Sequence, residues 1–237
     1  MSSASANEVR VAVASNFLLP LKEITRNFKE STSNDVVVIS GSTGKLFAQI
    51  KQGAPFDILL AADSVRPEIL EKEGIGVLGT RFTYAVGRLA LWSADSRFVI
   101  KNDLQFLNQK NFRYLAIANP KTAPYGKAAK QVLRKKGFWK KLQNRLVRGE
   151  NISQTLQFVV TGNADMGFIA LSQLKNERMT LGGHTFTIPN DWHDPIRQQA
   201  ILLKRAKSNP AAFQFLEFLK SNSIQNLIES FGYSLEK

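Results

Sequence analysis

The chain contains no cysteine among its 237 residues. Disulfide bonds, thiolate metal sites and cysteine nucleophiles are therefore excluded at once. Histidine is nearly as scarce, since only His184 and His193 are present. Neither stands at a metal-ligand spacing from the other or from a carboxylate cluster. The sequence thus argues against a histidine-based catalytic triad and against a zinc site.

Long hydrophobic runs are also missing. No apolar stretch approaches the roughly 20 residues that a membrane-spanning helix requires. Residues 1–7 lack the basic and apolar regions of a signal peptide, and we interpret them as a short polar leader. The leader is either a cytosolic start or the beginning of a chain from which a signal peptide has been removed. The length, together with a hydrophobic share of 43%, predicts a globular protein with one large domain or two lobes of ordinary size.

Acidic residues are absent from residues 104–149, although the whole chain carries 19 of them. The twelve basic residues of this segment, which nearly equal the net charge of +13, are Lys110, Arg113, Lys121, Lys127, Lys130, Arg134, Lys135, Lys136, Lys140, Lys141, Arg145 and Arg148. Such a segment can bind nucleic acid, or it can be a solvated face that attracts small anions. It contains no nucleic-acid-binding motif, and Phe138 and Trp139 are typical of core anchors in a helical hairpin. We therefore favour the second interpretation and expect no nucleic-acid partner.

The carboxylates give little indication of acid–base catalysis. Asp57 stands at a predicted strand start and Asp63 opens a predicted helix, so both have structural roles. Neither they nor Asp165 are tied by a motif to a nucleophile. The sequence therefore predicts a protein that is not an enzyme, with no catalytic residues and no cofactor.

Short apolar strands alternate with amphipathic helices along the chain, which predicts an α/β fold with parallel or mixed sheets. The predicted strands are 9–14, 36–40, 58–61, 83–92, 114–118, 166–170 and 199–203. The predicted helices are 17–31, 43–52, 65–73, 104–108, 126–136, 139–146, 152–161, 170–176, 210–221 and 224–231.

Two β-rich runs, residues 81–92 and 194–203, are unusually long. We interpret them as strands that cross between two α/β lobes, one leaving and one returning, and so form a two-strand hinge. The predicted lobes are residues 8–84 plus 204–237 (lobe 1) and residues 85–203 (lobe 2). A single doubly wound domain is the alternative.

Hydroxyl, amide and glycine residues stand where two early strands give way to helices. Ser15 and Asn16 follow the first strand, and Thr43 lies in the run Ser-Gly-Ser-Thr-Gly-Lys after the second. A helix start offers unpaired N–H groups and the positive end of the helix dipole, which suit a bound anion. For Thr43, the alternative is a simple helix cap, which is compatible with anion binding.

The second of these junctions is not a phosphate-binding P-loop. Leu46 stands where that motif needs a magnesium-binding hydroxyl, and Ile39 stands where it needs its first glycine.

Two later loops have the same chemistry. The loop 119–126 contains two prolines and ends with Tyr125 at a predicted helix start. In the loop 149–154, Asn151 is a plausible cap, which leaves Ile152 as the first residue with a free N–H. The chain therefore has four such helix starts, two in each predicted lobe.

Several segments resemble the substrate-binding proteins of bacterial molybdate ABC transporters. The resemblance covers residues 9–233, and its most specific part is the pattern Gln-x-x-x-Gly-Ala-Pro-x-Asp followed by Ala-Ala-Asp. The matching segments are 11–17, 41–44, 49–58, 61–63, 119–126, 149–154, 162–167 and 230–233.

This resemblance implies a two-lobed fold of the periplasmic-binding-protein type, with a tetrahedral dianion, molybdate or tungstate, in the cleft. Carried over by position, Ser15 and Asn16 form the first contact and Thr43 the second. Tyr125 forms the third contact, and the backbone N–H of Ile152 forms the fourth. These residues would hold the metal only through the oxygens of the anion, with no direct ligation.

One position departs from the family. Many members have a donating tyrosine where this chain has Ala170, and we expect Tyr125 to replace it. The resemblance also implies a periplasmic protein, expected to be a monomer, that meets a membrane permease. The sequence does not rank molybdate against tungstate, and another oxyanion such as sulfate is the alternative ligand.

Overall fold

The computed structural model describes residues 8–98, 104–108, 111–175 and 182–236. Its strands are β1 (Glu8–Ala14), β2 (Asp35–Gly41), β3 (Ile58–Leu60), β4 (Phe82–Gly87), β5 (Leu89–Ser93), β6 (Leu115–Ala118), β7 (Leu146–Gly149), β8 (Met166–Ala170), β9 (His184–Thr187) and β10 (Ile196–Leu202). Its α-helices are α1 (Leu18–Thr32), α2 (Thr43–Lys51), α3 (Val65–Lys72), α4 (Pro124–Lys135), α5 (Ile152–Val160), α6 (Pro210–Lys220) and α7 (Asn222–Ser230). Among these described helices, none has the length and apolar character needed to cross a bilayer. The predicted leader, residues 1–7, lies outside the described residues.

Contacts divide the chain into two compact units. The first unit contains the chain up to Val86, then Arg197–Ser230 and the residues from Ser234 onward; the second unit contains Gly87–Ile196 and Phe231–Tyr233. Residues 197–203, which the sequence placed in lobe 2, pack in the first unit because β10 pairs with β3. The predicted hinge stays a prediction.

The first unit is built on a five-stranded mixed sheet with the order β2-β1-β3-β10-β4. Strands β1, β2 and β3 are parallel, and β10 runs antiparallel to β3. Three successive residues of β1, Val11, Ala12 and Val13, have no exposed surface. Because neighbouring side chains in a strand point to opposite faces, both faces of this sheet are covered.

The second unit repeats this plan with the order β7-β6-β8-β5-β9. Here β7 and β8 run parallel to β6, whereas β5 is antiparallel to both β8 and β9. All four residues of β6 are fully buried. Each unit therefore has parallel strands whose carboxyl ends meet at one edge of a sheet. Such edges are where α/β folds bind ligands.

Four predicted elements differ from the structure. Where the structure describes them, the predicted helices 104–108 and 170–176 are short 3-10 helices (Gln105–Asn108 and Leu171–Lys175). The predicted helix 139–146 is wrong: the segment forms turns and a 3-10 helix (Gln143–Arg145), followed by β7. Its apolar Leu146 and Val147 pair with β6 instead of extending a helix. The predicted strand 83–92 is two strands, β4 and β5, which belong to different sheets.

Candidate functional site

In the first unit, the predicted donors lie at the carboxyl ends of two adjacent strands. Ala14 and Gly41 are paired at the ends of β1 and β2, so the segments that follow the two strands start side by side. Ser15 opens a 3-10 helix (Ser15–Phe17) that leads into α1, and Thr43 is the first residue of α2. Ser15, Asn16 and Thr43 are 7%, 3% and 1% exposed. The fold therefore brings these three residues to the same sheet edge.

A buried polar network holds the side chain of Asn16. Its Nδ2 donates to Oε1 of Gln198 over 2.8 Å, and Gln198 on β10 has no exposed surface. The hydroxyl of Tyr84 lies 3.1 Å from the same Oε1 and 3.1 Å from the carbonyl oxygen of Ala61. This hydrogen bond fixes the orientation of the Asn16 amide at the sheet edge.

The hydroxyl oxygen of Thr43 is held by one hydrogen bond. Its Oγ1 accepts a hydrogen bond from the backbone N–H of Ala62 at 3.0 Å, so its own hydrogen is available to another acceptor. The cap position of α2 belongs to Ser42, so the alternative that Thr43 is a simple helix cap is wrong. As the first helical residue, Thr43 also has an N–H without an acceptor inside the helix.

In the second unit, α4 begins directly against the end of β6. Its cap residue Ala123 provides no side-chain hydrogen bond, and Pro124 occupies the first turn. A Cβ on Gly126 would lie 2.1 Å from the carbonyl oxygen of Ala118, so glycine is needed for this close approach. Tyr125, which is 1% exposed, follows Pro124, and its N–H belongs to the open first turn of the helix.

The start of α5 confirms the predicted cap. The side chain of Asn151 accepts from the N–H of Gln154 at 3.0 Å, and Gln154 in turn accepts from the N–H of Glu150 at 2.7 Å. Ile152 is the first residue of the helix, so its N–H has no intrahelical acceptor. It is therefore a suitable donor to an anion, whatever the side chain.

Further hydrogen bonds join the two loops of the second unit. The N–H of Asn119 donates to the carbonyl oxygen of Gly149 at 2.7 Å. Gln173 donates to the carbonyl oxygen of Ile152 at 3.2 Å and accepts from the N–H of Ala170 at 3.0 Å. Gln173 thus holds the start of α5 against the end of β8, where Ala170 has no side-chain donor.

Sequence reasoning missed the residues that position the donors, Tyr84, Gln173 and Gln198. The signal for Gln198 was an amide residue inside the predicted β-rich run 194–203. An amide group that is fully buried in a strand must find hydrogen-bond partners, and these partners can be functional groups.

The carboxylates of interest have structural partners. Asp57 accepts from the N–H of Arg10 at 2.7 Å, and Asp165 accepts from the N–H groups of Arg113 and Tyr114 at 2.7 and 2.9 Å. Asp63 is paired with Arg66. In the described part of the chain, no group of three or more histidine and acidic residues could hold a metal ion.

Much of the basic segment is engaged within the second unit. Lys127 lies 3.6 Å from the carboxylate of Asp194, and the ammonium of Lys136 lies 3.4 Å from the centre of the Trp192 ring. Burial lowers the pKa of Arg145. The predicted anchor Phe138 is buried and Trp139 is half-buried, whereas Lys110 lies outside the described residues.

Two α/β units that each present uncharged donors at the carboxyl ends of parallel strands are typical of solute-binding proteins. The family model for bacterial extracellular solute-binding proteins matches residues 9–234, and the chain belongs to this family.

The chain is 48% identical over 235 residues to the molybdate-binding protein ModA of Azotobacter vinelandii. The match covers 99% of this chain and 92% of the relative. The chain is 43% identical over 233 residues to the molybdate-binding protein ModA of Rhodobacter capsulatus, with 98% and 90% covered. The solved structure of the periplasmic molybdate-binding protein of Azotobacter vinelandii matches with a TM-score of 0.92 and 36% identity. That match covers 97% of this chain and 100% of the other.

Proposed function

We propose that the protein binds molybdate, or the similar tungstate, in the periplasm and delivers it to the membrane permease of an ABC transporter. The observation that carries this proposal is the 48% identity to a protein named as molybdate-binding. The donor geometry supports it, because hydroxyl, amide and backbone N–H groups suit a tetrahedral dianion. We propose that Ser15, Asn16, Thr43, Tyr125 and Ile152 contact the same anion. We also propose that the protein is a monomer and does not act as an enzyme.

Neutral donors suit a protein that must release its ligand. A hydrogen bond to a charged group contributes about 1.5–3 kcal/mol net, so five to seven donors supply roughly 10 kcal/mol or more. The costs of association and ordering reduce this sum. Dissociation constants between micromolar and nanomolar are therefore expected.

Donors also select against protonated anions. Most of the proposed contacts are N–H groups, which offer no acceptor to an O–H of the ligand, so hydrogen phosphate should bind far more weakly than a fully deprotonated dianion. Sulfate is fully ionised and is the alternative ligand, from which molybdate must be distinguished by size.

A thermal-shift experiment with four anions tests the proposal. Molybdate and tungstate at about 1,000 times the dissociation constant should stabilise the protein by about 4 kcal/mol, which corresponds to roughly 8–16 °C for a chain of this size. Sulfate and phosphate should give far smaller shifts. A parallel DNA-binding titration at several salt concentrations examines the basic segment. Tight DNA binding without a molybdate shift would favour the nucleic-acid alternative.

Tyr125→Phe separates the phenol of this residue from its backbone N–H. If the backbone N–H is the main contact, the variant should bind molybdate less than tenfold more weakly in calorimetry. A loss above a hundredfold would show that the phenol makes the contact.

A further inference from the structure

Ser42 carries a buried hydroxyl without a hydrogen-bond partner. The residue is 3% exposed, and its Oγ makes no hydrogen bond within the described residues. Two fully buried residues have partners for their hydroxyls: Ser93 donates to the carbonyl oxygen of Asp165 at 2.6 Å, and Thr155 donates to that of Asn151 at 2.9 Å. The Thr122 hydroxyl, on a half-buried residue, has no partner either. Since buried polar groups in proteins are nearly always hydrogen-bonded, the Ser42 hydroxyl requires an explanation.

Helix capping does not explain this hydroxyl. Ser42 occupies the cap position of α2, where a serine side chain usually accepts from the N–H of the second or third helical residue. In this chain the side chain makes no capping bond. The residue thus bears the cost of a desolvated hydroxyl and lacks the usual compensation.

The position of Ser42 relates it to the proposed donors. It directly precedes Thr43, and the β1–β2 register places it in the row of Ser15, because Ala14 pairs with Gly41. The hydroxyls of Ser42 and Thr43 differ in one respect. Thr43 Oγ1 already accepts from Ala62, whereas Ser42 Oγ is free to turn toward any acceptor.

We propose that the Ser42 hydroxyl is a further donor to the bound oxyanion and makes its hydrogen bond there. The inference rests on the proposed function, and it adds to the site a side chain that the sequence did not indicate. It implies that Ser42 contributes to ligand affinity and contributes nothing to the stability of the protein without ligand.

The test compares Ser42→Ala with Ser93→Ala, which removes a buried hydroxyl that has a protein partner. Calorimetry with sodium molybdate and melting without ligand are measured for both full-length variants. Ser42→Ala should bind molybdate roughly 10- to 100-fold more weakly, with an unchanged or raised melting temperature. Ser93→Ala should melt lower and bind molybdate like the wild type.

Two results would overturn the role of Ser42 and leave the proposed function standing. The first is a Ser42→Ala variant whose molybdate affinity is within twofold of that of a wild type that binds molybdate. The second is a Ser42→Ala variant whose melting temperature is lowered as much as that of Ser93→Ala. A wild type that does not bind molybdate overturns the proposed function, and the role of Ser42 with it.

Discussion

Replacing Asn16 and Thr43 together by alanine should weaken molybdate binding at least about a hundredfold and leave the protein folded. The double variant removes an amide donor and a hydroxyl donor from the first unit. At about 1.5–3 kcal/mol for each bond to a charged group, the loss corresponds to roughly 10²- to 10⁴-fold in affinity. Calorimetry measures this loss, and circular dichroism checks the fold.

The double variant should also melt several degrees lower. The N–H of Ala62 loses its acceptor on Thr43, and Gln198 loses the donor on Asn16. A matched control is the double variant Thr32→Ala/Asn34→Ala, which removes the same chemical groups at the turn before β2. Thr32 donates to the carbonyl oxygen of Phe28, and Asn34 donates to Gln214. The control should bind molybdate like the wild type, and unchanged affinity in Asn16→Ala/Thr43→Ala would refute the site in the first unit.

The variant Ile152→Pro should weaken molybdate binding roughly 10- to 100-fold, because it deletes one backbone N–H. Proline is well tolerated at the first position of a helix, where the N–H has no intrahelical partner. The preceding residue, Asn151, has φ −140° and ψ 178°, an extended conformation that suits a residue before proline. The helix should therefore be retained.

The matched control for this variant is Ile152→Ala, which also removes the buried side chain but keeps the N–H. Both variants should lose stability to a similar degree, since the isoleucine is only 3% exposed. Only the proline variant should lose the greater part of its affinity. Equal affinities of the two variants would exclude the backbone N–H of Ile152 as a donor.

The sequence predicted the parallel strands other than β7 and the helices that follow them, because these elements have clear periodicity. Strands such as β6 and β8 are continuous apolar runs, and α1 and α5 carry one apolar face. The cap Asn151 was also predictable, because asparagine before an apolar helix has a known local role. Local patterns of this kind need no knowledge of the rest of the fold.

The sequence could not reveal contacts that depend on distant parts of the chain. β7 was missed because Leu146 and Val147 continue an apparently helical pattern, and only the pairing with β6 makes them a strand. The support of Asn16 by Gln198 joins residues 182 positions apart. The unpartnered hydroxyl of Ser42 is likewise a property of its surroundings, since neighbouring serines and threonines look equivalent in the sequence.

Isothermal titration of the wild-type protein with molybdate, repeated in excess hydrogen phosphate, tests most directly whether uncharged donors select a fully deprotonated dianion. We predict one molybdate per chain with a dissociation constant of about micromolar or lower, and no measurable competition by phosphate. The absence of molybdate binding, or displacement of molybdate by phosphate, would contradict this selection.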